Sequence, residues 1–170
     1  KLPRNIEKAG KKLLTMINDL LLLSAKKHES FIPPKTHFNV YEFMNDIVML
    51  LESQALKKGL ILRSEISLSL ELYADQRVLE QILINLISNA IKYTESGSVT
   101  LSLHLEEAYA IFSVKDSGIG ITKAEQEKLF IPFSRIERGM AMQKEGSGLG
   151  LALVMEYCKS IDAKLELISE

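Results

Sequence analysis

Four short segments of this chain hold residue types whose spacing can do chemistry. Asn85-Leu-Ile-Ser-Asn89 sets two side-chain amides at i and i+4, on one face of a helix. Lys92 follows three residues after Asn89 and reaches the same side, with Tyr93 beside it. Amide oxygens are hard neutral ligands of the kind Mg²⁺ accepts together with phosphate and water. Taken alone, the same spacing also suits a pair of solvated polar residues. Asp116-Ser117-Gly118-Ile119-Gly120 follows a strand-like stretch. An ionised aspartate there only accepts hydrogen bonds, which suits an exocyclic amine. The two glycines let the backbone turn tightly and approach a ligand, although an ordinary turn uses the same residues.

The third segment, Leu129-Phe130-Ile131-Pro132-Phe133-Ser134-Arg135, sets two phenylalanines around a proline, enough to anchor a loop. Arg135 offers a bidentate fork to a phosphate, or is simply a solvated surface charge. The fourth, Gly146-Ser147-Gly148-Leu149-Gly150-Leu151, opens a helix. Free backbone N–H groups and the helix dipole make such a start an anion site. A loop rather than a strand precedes it, and Gly-Lys-Ser/Thr is absent, so neither the dinucleotide fingerprint nor the P-loop fits.

These segments need elements to position them. Residues 1–27 read as one helix, with Ile6, Gly10, Leu13, Ile17, Leu20 and Ser24 forming a heptad-like seam widened by Leu14 and Leu21. That seam suits a helical hairpin or dimeric bundle, or a plain amphipathic helix packed on its own domain. Phe31-Ile32-Pro33-Pro34 breaks it, which divides the chain into 1–30 and 31–170. The pattern then predicts a strand at His37–Val40, a helix from Tyr41 to Lys58 ended by Gly59, and a strand at Leu60–Ile66. Asp75 is placed to N-cap a long helix to Thr94. A hairpin of Ser98–Leu105 and Tyr109–Val114 comes next, then a short helix with a Thr122/Glu125 capping box. A loop at 134–147, a helix at Leu149–Ser160 and a last strand at Lys164–Ile168 complete the reading. Helices and antiparallel strands mix without a βαβ rhythm, so the expected class is α+β, a two-layer α/β sandwich.

Composition bounds the rest. With 170 residues, 46% of them hydrophobic and 25% charged, the chain suits an ordinary globular domain. The 21 basic and 22 acidic residues leave a net charge of −1, and no basic patch with interleaved aromatics is visible, so no nucleic-acid partner is expected. The longest apolar run, Gly148 to Met155, has eight residues, against the roughly 18 a membrane span needs. One cysteine, Cys158, excludes an internal disulfide and fits a reducing compartment, hence a cytoplasmic location. The chain begins at Lys1 with no signal peptide, and reads as a piece of a longer protein that is itself free to be membrane-anchored.

Asn85…Asn89, Asp116-x-Gly-x-Gly120, Phe130…Phe133 and Gly146-x-Gly-Leu-Gly150, in this order, resemble the N, G1, F and G2 boxes of sensor histidine kinases. Those belong to the gyrase, heat-shock chaperone, histidine kinase and mismatch-repair ATPase superfamily. Residues 1–27, with Asn18-Asp19-Leu20-Leu21, resemble the second helix of the dimerisation and phosphotransfer bundle. The resemblance implies a Bergerat-type ATP-binding fold preceded by a single bundle helix, with ATP and Mg²⁺ as ligands. It implies Asn89 as metal ligand, Asn85 near metal and phosphates, Lys92 on phosphate and Tyr93 near adenine or ribose. Asp116 would accept from the adenine amine, with Gly118 and Gly120 giving room for the base. Phe133, Gly146, Gly148, Leu149 and Gly150 would border the nucleotide around a lid at 134–147, and Arg135 would contact the γ-phosphate.

The likeness also implies a branch. Gyrase-like ATPases carry a glutamate where this chain has Asn85, so phosphoryl transfer to a protein histidine is expected rather than efficient hydrolysis. The implied partners are a response regulator receiver domain and a second copy of the parent protein, joined through the bundle helix. Three histidines are present, and only His28-Glu29 mimics a phosphoacceptor box, on the wrong helix and without its arginine and threonine. The acceptor is therefore expected elsewhere in the parent, and this piece alone is not expected to autophosphorylate. The family's Gly-Gly is Asp162-Ala163 here, and its last strand would follow Glu170. Two other readings stand beside this one: a self-contained ATPase of the same superfamily, and a non-catalytic interaction module.

Overall fold

The computed structural model of the protein describes residues 10, 13, 17, 34–66, 70–134 and 147–169. The expected bundle helix at 1–30, the lid with Arg135 and Gly146, and His28 lie outside them, apart from three positions. Gly10, Leu13 and Ile17 have helical backbone, and Leu13 and Ile17 are exposed along one side of it.

Strand β1 (Thr36–Asn39) runs directly into helix α1 (Val40–Leu56). Asn39 caps that helix by accepting from Glu42 N at 3.2 Å, which satisfies a donor the first turn cannot pair. Val40, Phe43, Met44, Ile47, Leu51 and Ala55 recur at helical spacing and are all buried. Gly59, at φ +69°, turns the chain out of α1 into β2 (Ile61–Glu65). Strand β3 (Glu71–Ala74) follows, and Asp75 caps α2 (Gln76–Tyr93) by accepting from Arg77 N and Val78 N. The hairpin β4 (Ser98–Glu106) and β5 (Tyr109–Asp116) turns at Glu107, which takes φ +52°. After the short α3 (Lys123–Gln126), the last helix is α4 (Gly150–Ser160).

The strands form two sheets. β1 pairs antiparallel with β3, and β2, β4 and β5 form a three-stranded sheet. In the larger sheet β2 is parallel to β4 and β4 antiparallel to β5. Helix α1 packs on β2 and α2, and α2 on β4 and β5, around a core that includes Ile47, Leu83, Ile87, Val99 and Leu101. This is the expected two-layer α/β sandwich. A smaller cluster of Ile82, Val154 and Cys158 joins α2 to α4.

Three features differ from the expectation. The β2–β4 pair is parallel, because β3 and α2 intervene and carry the chain back to the starting edge. β3 is a strand that the sequence pattern did not reveal; its pairing with β1 defines it. Lys164–Ile168 is not a strand. Its alternating pattern finds no ladder: Leu165 packs on the small cluster, Ser169 Oγ accepts from Ile121 N at 2.8 Å, and Ile168 stays exposed.

Candidate functional site

Helix α2 presents the amide pair. Its apolar positions Leu79, Leu83, Ile87 and Ile91 enter the main core, and Ile82 meets α4. That leaves the strip through Asn85 and Asn89 facing the start of α4. Asn85 Nδ2 donates to Gln81 O at 2.9 Å, one turn back, which fixes the amide. Asn85 Oδ1 then lies 3.0 Å from where a side chain on Gly150 would begin, and Asn89 Nδ2 lies 3.8 Å from it. A Cβ there would crowd Asn85 Oδ1 and only touch Asn89, so glycine lets the α4 backbone come this near without Asn85 having to shift.

The α4 N-terminus is electropositive by construction. Its cap residue Leu149 makes no side-chain cap bond, although its own N–H donates to Ser147 Oγ at 3.3 Å. As in any α-helix, the first-turn N–H groups have no partner within the helix. An anion is the natural complement of such a terminus. Leu149 itself is buried, so its side chain anchors the turn rather than facing the site. The preceding Gly148 takes φ +73°, and a Cβ there would sit 2.9 Å from the Phe133 backbone. Phe133 N donates to Gly148 O at 3.0 Å. Phe133 has φ +64°, a conformation non-glycine residues rarely adopt, and its ring is exposed. The phenylalanine segment and the glycine-rich segment are thus clasped together.

At the other end, Asp116 closes β5. Its Oδ1 accepts from Gly118 N at 2.8 Å and from Thr94 Oγ1 at 3.5 Å. With one oxygen so held, Oδ2 is left for another donor. A Cβ on Gly118 would meet Asp116 Oδ1 at 2.6 Å and Tyr93 O at 3.1 Å, so glycine is required there. Gly120 turns at φ +66°. Ser117 Oγ accepts from Ser98 N and donates to Ser96 O, tying this loop to the turn before β4. Between the two ends, Lys92 Nζ lies 4.8 Å from the centre of the Tyr93 ring, a cation–π distance.

The structure therefore gathers Asn85, Asn89 and Gly150 at one end, Asp116 and Gly118 at the other, and Gly148 with Phe133 alongside the first. Arg135 and Gly146 lie outside the described residues. Sequence reasoning missed Thr94, a fully buried polar residue on Asp116, and Lys58, described below. Thr94 carried one signal, its place between Tyr93 and the Glu95-Ser96-Gly97 turn. Lys58 carried none.

A carboxylate pinned at the end of a strand, a glycine cradle beside it, and a helical amide pair facing a helix start thus lie together on one two-layer α/β sandwich. The family of histidine kinase-, DNA gyrase B- and HSP90-like ATPases matches residues 74–170, and the chain belongs to it. It is 32% identical over 170 residues to the autoinducer 2 sensor kinase/phosphatase LuxQ of Vibrio vulnificus, covering 95% of this chain and 20% of that protein. Among solved structures, full-length ShkA in complex with AMPPNP superposes with a TM-score of 0.82 at 26% identity, over 92% of this chain and 33% of that one. Histidine kinase ThkA, in complex with the response regulator protein TrrA, shares the fold at TM-score 0.63 and 24% identity, over 84% of this chain and 42% of that one. The chain thus spans about a fifth of the length of its Vibrio relative. Among the described residues, no helix is long and apolar enough to cross a membrane.

Proposed function

We propose that this chain is the catalytic, ATP-binding part of a two-component sensor histidine kinase, and that it positions the γ-phosphate of ATP for transfer to a histidine carried on another helix of the parent protein. The observation that carries this is the placing of Gly150 against Asn85 and Asn89, which brings an uncapped helix start and two amides to one point. Asp116, fixed through Oδ1, accepts from the adenine amine, with Gly118 and Gly120 making room for the base. Lys92 and Arg135 contribute positive charge toward phosphate, and Tyr93 borders the adenine or ribose. Gly146, Gly148, Leu149 and Phe133 shape the segment that borders the nucleotide.

Asn89, with Asn85 beside it, suits Mg²⁺, since hard amide oxygens together with phosphate and water complete such a site. The ion would neutralise charge on the phosphates. The glycine at position 150 spares Asn85 Oδ1 a crowded contact with α4, which supports that assignment.

Asn85 also selects the reaction. An amide does not take a proton from water as a carboxylate does, so this site orients and neutralises rather than activating water. Transfer to a protein nucleophile follows, with a response regulator receiver domain as the next acceptor. The solved complex of ThkA with a response regulator supports that partner. The exposed Leu13 and Ile17, on one side of helical backbone, support pairing of two copies through the bundle helix. A cytoplasmic setting and division into 1–30 and 31–170 belong to the same reading.

The test compares two products. Incubated with Mg-ATP, the chain should release phosphate slowly, yet phosphorylate a separately supplied bundle carrying a histidine. Sustained phosphate release with no transfer would favour the self-contained ATPase. Neither product, with nucleotide bound, would leave the interaction module.

A further inference from the structure

Lys58 stands outside all four segments. It lies in the turn after α1, and its ammonium reaches backbone 33 residues further on, at Ile91. Its Nζ donates to Ile91 O at 2.5 Å, Lys92 O at 2.9 Å and Thr94 O at 2.5 Å. These carbonyls belong to the last turn of α2 and to its C-cap, where a helix leaves acceptors without intrahelical partners. Such a terminus is the negative end of the helix dipole. An ammonium carries three donors and a positive charge, and bonds from a charged donor are the stronger kind.

The same turn leads straight to the adenine end of the site. Thr94, whose carbonyl Lys58 holds, donates through Oγ1 to Asp116 Oδ1. Tyr93 O and Thr94 Oγ1 are also the atoms that close the cradle around Gly118. From the opposite side, Ser117 ties the loop to the backbone of Ser96 and Ser98. The carboxylate is thus held between two anchors, and the one on the α2 side ends in Lys58.

We propose that Lys58 is a positioning residue for base recognition: it fixes the last turn of α2, hence Thr94, and through Thr94 the Asp116 carboxylate that discriminates a 6-amino purine. This rests on the nucleotide reading above and adds to it the residue that sets the selectivity of the base end. Lys58 is itself exposed and adds no side chain to either core cluster. Water can replace it on the outermost carbonyl, at Lys92, so its loss shifts the turn more than it unfolds the domain.

The test titrates the full chain by calorimetry with ADP and with IDP, whose base has a carbonyl oxygen in place of the 6-amino group. The wild type should prefer ADP. Lys58→Met should weaken ADP by about tenfold and leave IDP within about twofold, so the preference collapses. Lys58→Arg keeps a cation and donors, and should restore most of it. Thr94→Val breaks the next link without a change of shape and should reproduce the collapse. It carries the test together with Lys58→Arg should Lys58→Met not fold. A preference that survives in Lys58→Met or Thr94→Val, or an equal loss for both nucleotides, overturns the role of Lys58 and leaves the pocket intact. A wild type that binds ADP and IDP alike overturns the reading of Asp116, and the role of Lys58 with it.

Discussion

Helix α2 is held on two sides by very unequal cores. On one side Leu79, Leu83, Ile87, Ala90 and Ile91 enter the cluster shared with α1, β4 and β5. On the other, Ile82 meets Val154 and Cys158 as its buried partners among the described residues, with Val78, Leu86, Tyr157, Ile161 and Leu165 partly covering them. The amide pair lies on the thinly covered side, facing Gly150. The Asp116 end is braced instead by hydrogen bonds from Thr94 and Gly118, next to the large core. The large core thus fixes the Asp116 end, while the small cluster sets how closely α4 approaches the amides.

Substitutions can break that contrast. Ile87→Ala removes a fully buried side chain from the large core and should cost about 2–5 kcal/mol in chemical denaturation. Val154→Ala, in the small cluster, should cost about 2 kcal/mol, the transfer of two methylene-sized groups. Its greater effect should be on nucleotide affinity, because α4 loses its seat on α2. Nucleotide affinity unchanged in a folded Val154→Ala would show that the small cluster does not set the approach of α4.

A smaller effect sharpens the same point. Burial raises the pKa of the Cys158 thiol above its ordinary 9.0. The folded state therefore favours the protonated thiol. Its contribution is complete below pH 9.0 and is lost as pH rises through the higher folded value. Denaturation midpoints should fall over that range in the wild type and less so in Cys158→Ala. Identical profiles would mean that the α2–α4 seam is open to water.

Much of this was readable from local pattern. The caps at Asp75 and Thr122 showed in the sequence because capping needs only a side chain and the amides just after it. Glu125 Oε2 accepts from Thr122 N at 2.8 Å, as the spacing implied. Gly118, Gly148 and Gly150 stood out because close approach of other atoms to the backbone leaves a mark in residue type. Pairings at long range left none. β3 has four residues and exists through its partner β1, and the parallel β2–β4 register depends on a crossover. Lys164–Ile168 alternates like a strand, yet its course follows what Leu165 and Ser169 touch. Lys58 acts across 33 or more residues, and an exposed lysine after a helix looks like any other.

The most direct test of the central claim is a calorimetric titration of wild type and Asp116→Ala with Mg-ADP. Saturable 1:1 binding, weakened about tenfold to a hundredfold by the substitution while the fold is retained, is the result this account predicts. Equal affinity in the two proteins, or no binding by a folded wild type, would contradict it.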